Sequence, residues 1–140
     1  MTTTITRETK SFRMVSMPSA QCHVDITVNY HTNAIERVSL VSYATEVLRL
    51  VPDADGLHYN LWCSGTYSAT TARHINRFTT EFCGTNMYFE CKNALKMRPS
   101  GCYDSFVGVA PVDACAVINH AYGYLENTMM HEVKHFYGKY

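Results

Sequence analysis

Hydrophobic and polar residues alternate most cleanly over residues 23–30. Val24, Ile26, Val28 and Tyr30 interleave with His23, Asp25, Thr27 and Asn29, the two-residue period of a strand with one buried face. The same period predicts a strand over residues 57–63, with Tyr59, Leu61 and Cys63 on one side and His58, Asn60 and Trp62 on the other. Residues 35–51 keep it through Val41, Tyr43, Thr45 and Val47 and predict one long strand, although Ala44 to Leu50 also suits a helix. Residues 11–17 alternate less regularly and predict a first strand. The period then changes. Ala72, Ile75, Phe78 and Phe82 are spaced three, three and four apart, which places them on one helical face. Arg73, Asn76, Arg77 and Thr80 fall opposite. Ser68 or Thr70 can cap the start of this helix, and Gly84 is the left-handed residue that stops it.

Turn chemistry punctuates these elements. His31-Thr32-Asn33 reads as a turn, with Asn33 suited to a positive φ, and Pro52-Asp53-Ala54-Asp55-Gly56 as a second. Beyond Gly84 the pattern is less regular. Residues 86–97 open as a strand at Met87-Tyr88-Phe89 and become helical, and residues 98–101 form a loop. Phe106 to Val109 is a short apolar run. Pro111 suits the first position of a helix with Asp113 in its first turn; that helix runs to His120, pauses at Gly123 and resumes through His135. The expected fold is a single α+β domain over 1–140, an antiparallel β-sheet with helices packed on one face. Within it, 1–10 is frayed, 11–84 holds the sheet and the capped helix, and 85–140 is a Cys/His-rich C-terminal part.

Composition narrows the function. The 140 residues carry 12 basic and 12 acidic side chains, so the formal net charge is zero. A neutral chain lacks the basic excess of a broad electrostatic grip on nucleic acid, and no direct sequence-specific nucleic-acid binding is expected. No run of 18 apolar residues suggests a membrane span, and the first residues lack the apolar core of a signal peptide. The expected compartment is therefore the cytoplasm, with the six cysteines as thiols. None of them forms a C-x-x-C knuckle. No P-loop, dinucleotide fingerprint or G-x-S-x-G elbow occurs. Cys63 and His74 form a conceivable thiol–imidazole pair that lacks an orienting third group. Ten tyrosines supply aromatic surface suited to protein contacts.

His131-Glu132-Val133-Lys134-His135 places two imidazoles one helical turn apart, where both can reach one zinc ion. These five residues resemble the zincin peptidases, and that resemblance implies Glu132 as the residue activating a zinc-bound water. A small zinc-dependent metallopeptidase is thus the alternative reading. The zincins usually take a third ligand downstream, and residues 136–140 offer none. Cys115 and His120 are the nearest upstream candidates, with Cys83, Cys91 and Cys102 behind them. On one straight helix His120 and His131 stand about 16 Å apart, so sharing an ion requires a chain reversal near Gly123. A binding-only zinc site fits the residues better than a peptidase, and a plain surface helix end, with Lys134, His135 and Lys139 meeting the negative end of its dipole, is the reading without a metal. Arg73, His74 and Arg77 are the candidate contact residues; both arginines share an exposed face and suit a carboxylate or phosphate, while His74 borders the apolar face, where its ring can pack on Phe78.

Two segments together, Val41-Ser42-Tyr43-Ala44-Thr45-Glu46-Val47 and Tyr67-Ser68-x-Thr70-Thr71-x-Arg73-His74-Ile75-Asn76-x-Phe78, resemble a small domain of unknown function common in phage and mobile-element proteins. The resemblance implies a compact protein of the host-cell cytoplasm with no established reaction. Phage proteins of this size include anti-CRISPR inhibitors. The expectation is a non-enzymatic inhibitor that docks on a host nucleoprotein such as Cas9, braced by zinc. In this reading Tyr67, Thr70, Thr71 and His74 hold the motif together.

Overall fold

The computed structural model describes residues 6–65, 67–98 and 105–126. Six strands form one sheet: β1 (Arg7–Phe12), β2 (Cys22–Asn29), β3 (Ala34–Ser42), β4 (Thr45–Pro52), β5 (His58–Cys63) and β6 (Val107–Asp113). Their order in the sheet is their order in the chain, and every neighbouring pair is antiparallel. Among the described residues three helices complete the α+β fold: α1 (Ala69–Cys83), α2 (Tyr88–Lys96) and α3 (Ala114–Leu125).

Alternation decides which face is covered. Val24, Ile26, Val38, Leu40, Leu48, Leu50 and Leu61 are sealed from solvent on one face, with Ile75, Phe78 and Phe82 of α1 and Val117, Ala121 and Tyr124 of α3 in the same core. Each fully buried Leu or Phe removes enough apolar surface to contribute about 1.5–3 kcal/mol. The opposite face carries Thr27, Arg37, Arg49, Asn60 and Trp62, all only partly shielded.

Five local expectations are corrected. The expected long strand over 35–51 is two strands, because the chain reverses at Tyr43. The Ala44 N–H reaches back to the Ser42 carbonyl (2.9 Å) across Tyr43, whose φ is 60°. That is the strained hand of a three-residue turn, and no Gly, Pro or Asn marks it. The first strand covers Arg7–Phe12, not 11–17, so part of the segment expected to fray is paired to β2. Residues 88–96 are helical from their start, with no strand at Met87-Tyr88-Phe89. Pro111 belongs to β6 and Asp113 is the N-cap of α3, its carboxylate accepting from Ala116 N–H (3.1 Å). Pro111 is tolerated because β6 is an edge strand. Helix α3 passes through Gly123 without interruption.

Other expectations stand. Ser68 caps α1 through its hydroxyl to Thr71 N–H (3.1 Å), and Gly84 ends the helix at φ 81°. Asn33 and Gly56 hold the positive φ their turns require.

Candidate interaction surface

The two motif segments meet. Ser42 ends β3, and its hydroxyl lies 2.8 Å from His74 Nδ1 and 3.1 Å from Thr71 Oγ1. Thr71 in turn meets the capping hydroxyl of Ser68 at 3.2 Å. The Tyr43 ring tilts over the His74 imidazole at 6.0 Å between centroids. A chain of short polar side chains therefore fastens the β3–β4 turn to the first turns of α1. Burial, followed by the nearby Arg73 charge, lowers the His74 pKa, so the ring is held neutral.

This geometry divides the expected contact residues. Arg73 and Arg77 are exposed on α1, while His74 is 1% exposed and turned into the core. His74 is therefore corrected as a contact residue, and its other expected role, holding the motif together, agrees with its bond to Ser42. Its partner is Ser42, not Cys63, whose thiol donates to the Cys91 carbonyl at 3.5 Å. No accessible nucleophile results, because Ser42 and Cys63 are both buried.

A second polar triple lies on the sheet. Ser11 donates to Asp25 Oδ1 (2.6 Å), and His23 Nε2 stands 3.0 Å from the same oxygen. Here the carboxylate sits between hydroxyl and imidazole. Serine activation needs the imidazole in the middle, so this order orients side chains without making a nucleophile.

The expected metal ligands fare differently. His131, Glu132 and His135 lie outside the described residues, as does Cys102. His120 turns inward, its Nε2 2.8 Å from Glu81 Oε1, whereas Cys115 is exposed. Five residues on one helix point about 140° apart, so Cys115 and His120, the upstream candidate ligands, do not face one ion together. Among the described residues, no group of three or more His, Cys, Asp or Glu side chains is placed to hold a metal ion.

The Glu81 cluster is invisible in the sequence pattern. Its carboxylate also accepts from Tyr124 OH and from the Ser16 backbone N–H and hydroxyl, joining α1, α3 and the β1–β2 connection. Burial works to raise the Glu81 pKa, and the donors from His120, Ser16 and Tyr124 overcome it and lower it. A buried anion with this many donors is a structural tie.

Two surfaces remain open to a partner, and their electrostatics differ. On the uncovered sheet face, Glu46 takes hydrogen bonds from Arg37 (2.6 Å), Arg49 (2.8 Å) and Ser39. Arg7 likewise pairs with Glu36. Arg49 also lies over the Phe106 ring at 3.8 Å. These cations are already neutralised by their neighbours.

The outer surface of α1 and α2 is the reverse. Arg73 and Arg77 stand one turn apart on α1, and Lys92 and Lys96 one turn apart on α2. Among the described residues none of these four lies in an ion pair. Between the helices runs a groove of about 250 Å³ lined by Ala72, Arg73, Asn76, Asn86, Tyr88 and Phe89. Phe89 is 67% exposed at its rim, and Lys92 Nζ stands 6.0 Å from the Tyr88 ring centroid. Neutral overall charge concealed this separation. Residues 69–98 hold five cations (Arg73, Arg77, Lys92, Lys96, Arg98) against two acids, and one of those, Glu81, is tied up in the cluster above. Asp53, Asp55 and Asp113 gather instead around His58, at the far end of β5.

Fold and surface together define an antiparallel meander domain whose helices carry an exposed aromatic ring and cations with no ion pair among the described residues. The chain belongs to a family of unknown function (DUF8033), whose model matches residues 7–96. The match runs from the first residue of β1 to the last of α2 and so contains the whole groove. Neither the curated proteins nor the solved structures include a match. None of the helices among the described residues is long and apolar enough to cross a membrane.

Proposed function

We propose that this protein is a non-enzymatic inhibitor that docks on a host defence nucleoprotein, of the kind phages direct against CRISPR effectors such as Cas9, in the cytoplasm of the host cell. The observation that carries the reading is the α1–α2 surface, where Arg73, Arg77, Lys92 and Lys96 have no counter-ions among the described residues and Phe89 is exposed beside them. Keeping four cations unneutralised leaves their charge for a partner, and an exposed aromatic beside them supplies contact area of the type that dominates interfaces. The phage-type motif of the sequence agrees with this reading. So do the polar clusters of Ser42–His74 and Ser11–Asp25–His23, which are arranged for support rather than turnover.

The test is to mix the purified protein with a Cas9–guide complex and follow co-elution and DNA cleavage. Co-elution with loss of cleavage is expected, and Arg73→Ala/Arg77→Ala is expected to weaken both at least tenfold. Absence of co-elution at micromolar concentration refutes the partner. A zinc ion held by His131 and His135 belongs to the same proposal and rests on their spacing in the sequence. Elemental analysis is expected to find one equivalent of zinc, retained in Glu132→Gln and lost in His131→Ala and His135→Ala; no zinc in the unaltered chain removes the metal.

A further inference from the structure

We infer that the groove between α1 and α2 binds single-stranded nucleic acid, without sequence preference. This deepens the proposed docking surface and rests on it.

The groove has the three parts such binding needs. The first is a track for phosphates. Arg73 and Arg77 on α1, and Lys92 and Lys96 on α2, give two pairs of cations, each pair about 6 Å apart along its helix. Arginine grips a phosphate through its planar fork, and lysine meets it as a point charge. The second is a platform for a base. Phe89 is exposed at the rim, and Tyr88, in edge contact with it at 5.5 Å between centroids, lines the groove floor. Phe89, Lys92 and Lys96 recur at spacings of three and four and so share one face of α2, leaving the acidic Glu90 about 100° round the helix. The third is polar groups able to meet a base edge or sugar, supplied by Asn76 and Asn86 in the same lining.

These parts favour a strand of nucleotides over an acidic peptide. An acidic peptide uses the cations and has no aromatic plane to offer Phe89, whereas every base has one. They also favour a single strand over a duplex, whose stacked bases keep their faces from the ring. The bound strand runs with phosphates on the cations and one base stacked on Phe89. Zero net charge is no obstacle, because the cations lie together and the acids of the β4–β5 turn lie apart from them.

The experiment is fluorescence anisotropy of the full chain with labelled 15-nucleotide dT and rU strands across a salt series. Expected is saturable binding whose association constant falls with salt at a log–log slope of about −3, as four phosphate contacts on a single strand require. Arg73→Gln/Arg77→Gln is expected to bring the slope to about −1.5. The charge-matched Arg7→Gln/Lys10→Gln pair on the β1 edge is expected to leave it unchanged. Phe89→Ala is expected to weaken binding by about 5- to 100-fold while leaving an abasic strand of the same charge unaffected. The dT and rU arms tell whether the site takes DNA, RNA or both. Arg7, Arg73, Arg77 and Phe89 are exposed and Lys10 is half-exposed, and circular dichroism of each variant confirms its fold. The inference is overturned if neither strand binds at low salt, if the two double variants behave alike, or if poly-glutamate or duplex of equal charge competes as well as single strand. Nucleoprotein capture persisting while free strands fail to bind overturns this inference alone and leaves the docking proposal standing. Strand binding with no nucleoprotein capture does the opposite.

Discussion

His74 shows how one side chain changes meaning with its surroundings. A histidine bordering an apolar stripe on a helix suits either a contact or a packing role, and here the ring is enclosed and bonded to Ser42. Its folded pKa is depressed by burial and then by Arg73, so the neutral form is the folded form. A group of this sign contributes stability above its unfolded value of about 6.5 and loses it as pH falls through the lower folded value. Stability is therefore expected to decline on acidification below about pH 6.5. His74→Asn, which keeps a polar atom near the Nδ1 position and cannot titrate, is expected to flatten that decline. Denaturant midpoints at successive pH values are the measurement, and an unchanged slope in the variant removes His74 from the account. His58, whose pKa Asp55 raises, pulls the slope the other way in both proteins alike. Glu46 acts lower on the scale. Burial opposes its ionisation, but Arg49, Arg37 and Ser39 outweigh that and bring its pKa to about 2. Its contribution is complete above the ordinary value near 4.5 and is lost as pH falls toward 2. With solvent reaching the network, that loss is about 1–2 kcal/mol. Glu46→Gln is expected to become less stable at pH 7 by a similar amount and to lose little more by pH 3.

At the scale of elements, α1 was the most legible part of the chain. Its cap, apolar face and left-handed stop all follow from local chemistry, and all are present. Ser68→Ala removes the hydroxyl that accepts from Thr71 N–H and also contacts Thr71 Oγ1. A loss of about 1 kcal/mol is expected by chemical denaturation, against a few tenths for Thr70→Ala at the first turn. The β3–β4 turn was the least legible. Alternation continues in the sequence through Tyr43, because a three-residue turn inserts no break in the polar pattern. The reversal is set by partners far along the chain. Tyr43 N–H bonds to the Gln21 carbonyl at 2.6 Å, and its ring meets His74. Strand β6 was misread for a related reason. Pro111 signals a helix start locally, but at the sheet edge its missing N–H costs nothing, and Asp113 caps the helix two residues later.

For the molecule as a whole, zero net charge was the least informative number in the sequence. It averaged a self-neutralised sheet face with a helical surface whose cations have no counter-ions among the described residues. Arg73 and Arg77 were identifiable beforehand from helical spacing. Lys92 and Lys96 also stand one turn apart in the part of their segment read as helical, but Phe89 was read as strand and so fell off their common face. A helical reading of residues 88–96 would have aligned Phe89, Lys92 and Lys96 at once. Glu81, His120 and Tyr124 could not be joined from sequence at all. Glu81 stands 39 and 43 residues from the other two, and only the packing of α3 across α1 brings it to them.

Periods of two and of 3.6 residues were enough to determine an antiparallel sheet with a capped amphipathic helix, since those signals are local and repeat along the chain. Tertiary structure alone decided where β3 turns back, that His74 bonds to Ser42, and which cations have no ion pair among the described residues. Each of these depends on what arrives from a distant part of the chain, and a one-dimensional pattern carries no record of that arrival.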